Sequence, residues 1–189
     1  ARSLGVDLRF ETEAQSLDAY KDYDLIVGAD GVNSRVRAAH ADVFKPDIDV
    51  RACKYIWLGT KQKFDKAFTF IFEETKHGLF QVHAYPFAAG RSTWIVECGE
   101  AAWRSAGLDR ASETETVEFS ERLFARHLDG HRLLANRSLW RQFPTVRCGR
   151  WHRGNVVLLG DAAHTAHYSI GSGTKLAMED AIALVAAFR

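Results

Sequence analysis

Residues 154–181 read G-N-V-V-L-L-G-D-A-A-H-T-A-H-Y-S-I-G-S-G-T-K-L-A-M-E-D-A. The apolar run Asn155–Leu159 has the continuity of a strand buried on both faces, as in a parallel sheet. It ends at Gly160-Asp161, and the turn Gly171-Ser172-Gly173 leads into a helix from about Thr174 to Arg189. A carboxylate at the carboxyl end of a buried strand sits where α/β sheets bind ligands. Asp161 is placed to accept hydrogen bonds from a polyol. The free N–H groups near Gly171 and Gly173, aided by the helix dipole, suit a developing anion.

A second stretch of the same character lies 130 residues upstream. Residues 24–37 read D-L-I-V-G-A-D-G-V-N-S-R-V-R. Asp24–Val27 is a short apolar strand bounded by Gly28, and a helix starts near Ser34, with Asn33 or Ser34 as its cap. Gly31 allows a backbone geometry closed to other residues. Ser34 and Arg37 are suited to hold a phosphate or to position Asp30. Further upstream, Val6–Phe10 alternates apolar and polar residues as a half-buried strand does.

Between the two stretches the texture changes. Tyr55–Leu58, Phe68–Phe72, Gly78–Phe87 and Ser92–Cys98 are rich in β-branched and aromatic residues. Turn-like segments at Lys61–Asp65, Glu74–His77 and Ala88–Arg91 separate them, which predicts an antiparallel meander of four strands. Val117, Phe119, Leu123, Phe124 and Leu128 recur near helical spacing within Glu115–Leu128, and Ser138–Arg147 alternates as a strand. Two α/β pieces thus flank an all-β insert: residues 1–50, 51–147 and 148–189.

The chain has 189 residues, 47% of them apolar, and a formal net charge of +1. That charge argues against a nucleic-acid binder that relies on a strongly basic surface. No apolar run approaches the ~20 residues of a membrane span. Cys53, Cys98 and Cys148 are far apart and never form C-x-x-C, so reduced thiols and a cytoplasmic setting are expected. Asp161, His164 and His167 have spacing that a metal could use, yet the Gly-x-Gly turn and helix already account for the segment, and no metal is expected.

The two stretches together resemble the paired FAD fingerprints of the group A flavoprotein aromatic hydroxylases, the family of para-hydroxybenzoate hydroxylase. Gly28, Asp30, Gly31, Ser34 and Arg37 match the D-G motif. Gly160, Asp161, Ala162, Ala163, His164, Gly171, Gly173, Asp180 and Ala181 match the G-D motif. Where many members carry two prolines and an Asn, this chain has His167-Tyr168 and Lys175. That version is similar to the subgroup of salicyloyl-CoA and anthraniloyl-CoA monooxygenases, as is the meander from Trp57-Leu58-Gly59-Thr60 through Phe72. The family's G-x-G-x-x-G segment does not occur in these residues. The expectation is therefore a part of the family's length that binds FAD poorly alone.

The resemblance implies an FAD-binding Rossmann-like α/β fold with an inserted antiparallel substrate domain. It implies FAD as cofactor, NAD(P)H as co-substrate, and hydroxylation of a small aromatic ring with O₂. The cofactor carries that chemistry, and the protein supplies orientation and electrostatics. Gly28, Asp30, Gly31, Ser34, Arg37, Gly160, Asp161, Ala162, Gly171, Ser172, Gly173 and Thr174 become the cofactor-binding candidates. Phe70, Phe72, Gln81, His83 and Tyr85 are candidates to line the substrate wall, although strand alternation lets only about half of a strand's residues face inward. His167 and Tyr168 are candidates to approach the substrate. Lys54, Lys61, Lys63, Arg91 and Arg104 are available for the phosphates of a CoA thioester, as they are for a solvated surface.

Two other readings stay open. The ring could be a free indole or phenol rather than an acyl-CoA. A non-catalytic binder of the same architecture, like the GDP-dissociation inhibitors, is the reading from a different class, since fold does not fix function. Blander roles also stand beside the sharp ones. His164 and Asp180 serve as hydrogen-bonding residues, Lys175–Glu179 is a local i,i+4 pair, and the five Trp residues are core or lobe packing.

Overall fold

A computed structural model describes residues 1–64 and 68–188. Asp65, in the turn expected at Lys61–Asp65, and Arg189, the expected end of the last helix, lie outside the described residues. The chain divides into two compact units, one formed by residues 1–47, 146–165 and 172 onward, the other by 48–145 and 166–171.

The first unit is built on strands β1 (Ile26–Gly28), β8 (His152–Arg153) and β9 (Val156–Leu158), in the order β1-β9-β8. The two sequence stretches meet here: β1 and β9 run parallel, with Ile26 opposite Val156 and Gly28 opposite Leu158. Helices α1 (Arg35–Ala39) and α2 (Ala41–Phe44) follow β1, and α6 (Gly173–Ala187) follows the Gly-rich turn. Phe44, Val156, Leu158, Ala162 and Ala163 form the core, with Ile26, Val36, Leu17 and Cys148 packed against it. The expected strand at Val6–Phe10 is absent, because those residues have no ladder partner and are exposed throughout. Alternation alone does not make a strand without a neighbour to pair with.

The second unit is a six-stranded sheet. Strands β2 (Pro46–Thr60), β3 (Thr69–Thr75), β4 (Gly78–Ala88), β5 (Arg91–Cys98) and β6 (Leu133–Leu134) lie in the order β3-β4-β5-β2-β6, and β7 (Arg141–Cys148) pairs with β2. Every pairing in the meander is antiparallel. One face carries Ile56, Leu58, Ile71, Phe80, Val82, Ala84, Trp94 and Val96, all buried. Leu108, Phe124 and Leu128 complete that core from the helical segment that follows β5. That segment comprises α3 (Glu100–Ser105), α4 (Glu113–Leu123) and α5 (Ala125–Leu128). The single helix expected over Glu115–Leu128 is two helices that break at Phe124. A Ser112–Glu115 capping box starts α4. Of the five Trp residues, Trp94 is fully buried, whereas Trp57 and Trp151 are substantially exposed, so the packing role does not extend to all of them.

Gly28 is fixed by space. A Cβ there would stand 2.9 Å from Val36 Cγ1 and 3.1 Å from Leu158 Cδ2, so only glycine lets α1 settle this closely on the strand. Among the described residues no helix is long and apolar enough to cross a membrane. We expect Gly28→Ala to destabilise the protein by about 1–3 kcal/mol in urea unfolding, as overpacking does. Adding Val36→Ala, which removes the clashing methyl, should recover part of the loss.

Candidate functional site

In the first unit the carboxyl ends of β1 and β9 carry the two fingerprint loops. Asp30 is held by neighbours in its own loop. Its carboxylate accepts the Ser34 hydroxyl (2.5 Å) and the N–H groups of Arg35 (2.7 Å) and Val36 (3.2 Å), and Ser34 Oγ accepts from Arg37 N–H. Burial by itself would raise the Asp30 carboxyl. The Ser34, Val36 and Arg35 donors outweigh it and hold the pKa below the ordinary carboxylate value. Asp30 is thus the anion at the start of α1.

The Arg37 side chain is turned inward. Arg37 is 5% exposed, and its guanidinium donates to the carbonyls of Val32 (2.5 Å), Ala162 (2.9 Å) and Asp161 (3.4 Å). Its charge is spent on backbone oxygens and ties the D-G loop to the G-D loop. Ser34 and Ala162, expected at the cofactor, are also buried. Gly28 and Gly160 are buried as well and act through close approach. Gly160 has φ +58°, and a Cβ there would stand 3.0 Å from the Ala177 Cβ on α6.

A second tie anchors this turn. Asp180 on α6 accepts Gly160 N–H (3.0 Å), and the same oxygen lies 2.8 Å from His164 Nε2. Trp151 stacks on the His164 ring at 4.6 Å. With its backbone gripped from both sides, the Asp161 side chain stays exposed. Among the described residues its carboxylate accepts no hydrogen bond and joins no ion pair. α6 begins at Gly173 after Ser172, which supplies no side-chain cap. The first-turn N–H groups, Thr174 included, are therefore available to an acceptor. Lys175 pairs with Glu179. Gly31 and Gly171 both take positive φ in their turns.

A free acid at a strand end and an uncapped glycine-led helix start are the donor and acceptor set that a flavin's polyol and pyrimidine oxygens require. The residues therefore fit FAD. A cavity of about 920 Å³ opens beside β1 and is lined by Gly28, Ala29, Asp30, Asn33 and the segment 12–18. That volume is within the range of small-molecule sites. Among the described residues no group of three or more His, Cys, Asp or Glu converges as a metal site.

The second unit carries the other candidates. Cross-strand partners share a face. The register aligns Phe70, His83, Ile95 and Trp57 in one row, and Phe72, Gln81, Glu97 and Tyr55 in the next. All five wall candidates, Phe70, Phe72, Gln81, His83 and Tyr85, therefore stand on one side of the sheet, opposite the helix-covered core. Phe70 and Phe72 are half exposed, the Phe70 ring lies 4.8 Å from His83, and Phe68 lies 4.9 Å from Tyr85. Tyr168 packs over the same face, 4.4 Å from the Tyr55 ring and 5.7 Å from Phe143, while His167 contacts Phe143 and bonds Ser169.

One residue here escaped the sequence reading. Glu97, 7% exposed, accepts the Tyr168 hydroxyl at 2.7 Å and stands 3.9 Å from His83 Nε2. Burial, then the Glu97 bond, pushes the Tyr168 phenol well up. Burial pushes the His83 imidazole down, against the pull of Glu97. The signal was present: Glu97 is the lone charge in the run Ser92–Cys98. Of the phosphate candidates, Lys54 sits opposite Cys98 on the helix-covered face with its ammonium over Trp103, and Arg104 is paired with Glu100.

Residues 5–188 match the family described as FAD binding domain. The chain is 46% identical to a salicyloyl-CoA 5-hydroxylase from Streptomyces sp over 97% of its own length and 37% of that protein. It is 42% identical to a 3-hydroxy-4-methyl-anthranilyl-[aryl-carrier protein] 5-monooxygenase from Streptosporangium sibiricum, over 94% of this chain and 46% of that one. Among solved structures, Klebsiella pneumoniae HpxO, complexed with FAD and uric acid, aligns with a TM-score of 0.61 at 26% identity. That alignment covers 87% of this chain and 42% of that one. The chain thus spans under half the length of these relatives.

Two predictions follow from the ties. Arg37→Met removes the guanidinium from three inward carbonyls and should cost about 2–4 kcal/mol of unfolding free energy in urea. The depressed Asp30 pKa contributes stability that is complete above the ordinary carboxylate pKa of about 3.9 and is lost as pH falls through the lower folded value. Asp30→Asn should therefore flatten the acid limb of a stability-versus-pH curve and leave the neutral-to-alkaline slope unchanged.

Proposed function

The chain belongs to the FAD binding domain family, and from that premise we propose that the protein is an FAD-dependent monooxygenase that hydroxylates an aromatic acyl thioester of the salicyloyl or anthraniloyl type. The observations that carry the flavin part are the unpartnered Asp161 carboxylate and the uncapped start of α6, both in the first unit. The thioester part is supported by two relatives whose names specify a CoA ester and a carrier-protein ester.

FAD, when bound, supplies the redox and oxygen chemistry, with NAD(P)H and O₂ as co-substrates. Asp161 would accept the ribityl hydroxyls. The N–H groups of Gly173 and Thr174, with the α6 dipole behind them, would stabilise negative charge on the pyrimidine end. Arg37 and Asp180 keep that turn rigid, so the donors need no rearrangement when charge develops. Phe70, Phe72 and Tyr85 would stack against the substrate ring and exclude water. An ortho hydroxyl or amino group makes such a ring electron-rich enough to be attacked. The domain roles follow: residues 1–50 and 148–189 serve the cofactor, except that 166–171 join 51–147 in serving the ring.

The test is NAD(P)H oxidation with product analysis by the flavin-loaded protein, using salicyloyl-CoA, anthraniloyl-CoA, the free acids and indole. Hydroxylated product with the CoA esters is expected. Product from free rings alone would replace the thioester reading with free-aromatic hydroxylation, the kind of ring suggested by the uric acid bound in HpxO. A full-length protein that takes up no yellow chromophore would point to the non-catalytic binder. Asp161→Ala should weaken FAD binding at least tenfold while the circular dichroism spectrum is unchanged.

A further inference from the structure

We propose that Glu97 is a selectivity residue: its buried carboxylate disfavours aromatic carboxylate anions on the open face of the second unit and reserves that face for rings whose carboxyl is a neutral thioester or amide. The inference rests on the reading of that face as the ring site.

Two carboxylates on one sheet differ in their partners. Glu73 on β3 lies opposite Phe80, on the helix-covered side. Its charge is compensated: Arg126 reaches it at 2.8 Å and His127 at 2.6 Å. Glu97 on β5 lies on the aromatic side and has no such cation. Its partners are the neutral Tyr168 phenol at 2.7 Å, the Cys53 thiol, and His83 at 3.9 Å, an imidazole that burial biases toward its neutral form. Among the described residues no Lys or Arg bonds to Glu97. One acid on this sheet thus has an arginine against it, and the other, the more deeply buried, has none among the described residues.

The rows that line this face agree. Phe70, His83, Ile95 and Trp57, with Phe72, Gln81 and Tyr55, supply aromatic and neutral polar groups and no cation. Arg141 stands near Tyr55 at the margin, but it is exposed to solvent, where its charge is screened. The Glu97 charge is shielded by Tyr168 from most of the solvent and is screened far less. A ligand carboxylate settling among these aromatics would meet a like charge through a medium of low effective dielectric. A thioester or amide carbonyl on the same ring would not. This discriminates by repulsion rather than by an added contact, which is how binding sites commonly reject a close analogue. An amino or hydroxyl substituent, by contrast, is a donor and is favoured near a carboxylate.

The experiment titrates the full-length, flavin-loaded protein with salicylate and with salicylamide, which share the ring and the ortho hydroxyl and differ in the charge of the carboxyl. Binding is read by perturbation of the flavin spectrum and by calorimetry at pH 7.5. Salicylamide should bind at least tenfold more tightly. Glu97→Gln, which keeps an acceptor for Tyr168, should shrink the gap to under threefold by tightening salicylate, with salicylamide changed less than threefold. Equal affinities in the unmodified protein would overturn the proposal, and that comparison needs no variant. An unchanged gap in Glu97→Gln would overturn it too and leave Glu97 as a tether for Tyr168. If neither ring binds a protein that holds FAD, the ring-site reading itself falls and takes this inference with it.

Discussion

The first unit depends on one buried guanidinium. Arg37 donates to the carbonyls of Val32, Asp161 and Ala162, so two loops separated by more than 120 residues of sequence are held as one surface. An arginine at 5% exposure is tolerable only when its donors are satisfied, and backbone oxygens satisfy it without placing a second charge inside. Everything at the strand ends follows from this clamp. The Asp161 backbone is fixed, and its side chain is left facing outward. Asp30 accepts the first N–H groups of α1, and Ser34 caps it. Asp180 completes the arrangement from α6 by holding Gly160 and His164 with one oxygen.

In the second unit the governing constraint is the period of two along a strand. It sends Ile71, Val82, Trp94 and Val96 to the helices, and Phe70, Phe72, Gln81 and His83 to the opposite side. The open aromatic face is therefore the unavoidable complement of the packed one. Tyr168 and Glu97 occupy it because a phenol and a carboxylate can satisfy each other where water is scarce.

Some of this was legible in the residues. The meander, the parallel run at Asn155–Leu159 and the helix after Gly173 could be read because period, length and turn chemistry are local signals. The paired fingerprints pointed to a flavin because their residues match a family pattern, and the family match over residues 5–188 agrees. The strand expected at Val6–Phe10 failed because alternation says nothing of whether a partner strand exists. The helix expected over Glu115–Leu128 divides at Phe124, whose ring is buried in the core beside Trp94.

The site divides along the same line. Residue types and spacing alone indicated that Asp161 follows a strand end and that Gly173 and Thr174 open a helix, since both are local signals. They also determined that Asp30 and Arg37 matter, without saying how. Only the tertiary structure decided that Arg37 faces inward to carbonyls, that all five wall candidates share one side of the sheet, and that Glu97 lies beneath Tyr168. Each of these is a contact between residues distant in sequence, fixed by strand register and by burial of charge. Neither can be computed from a local window.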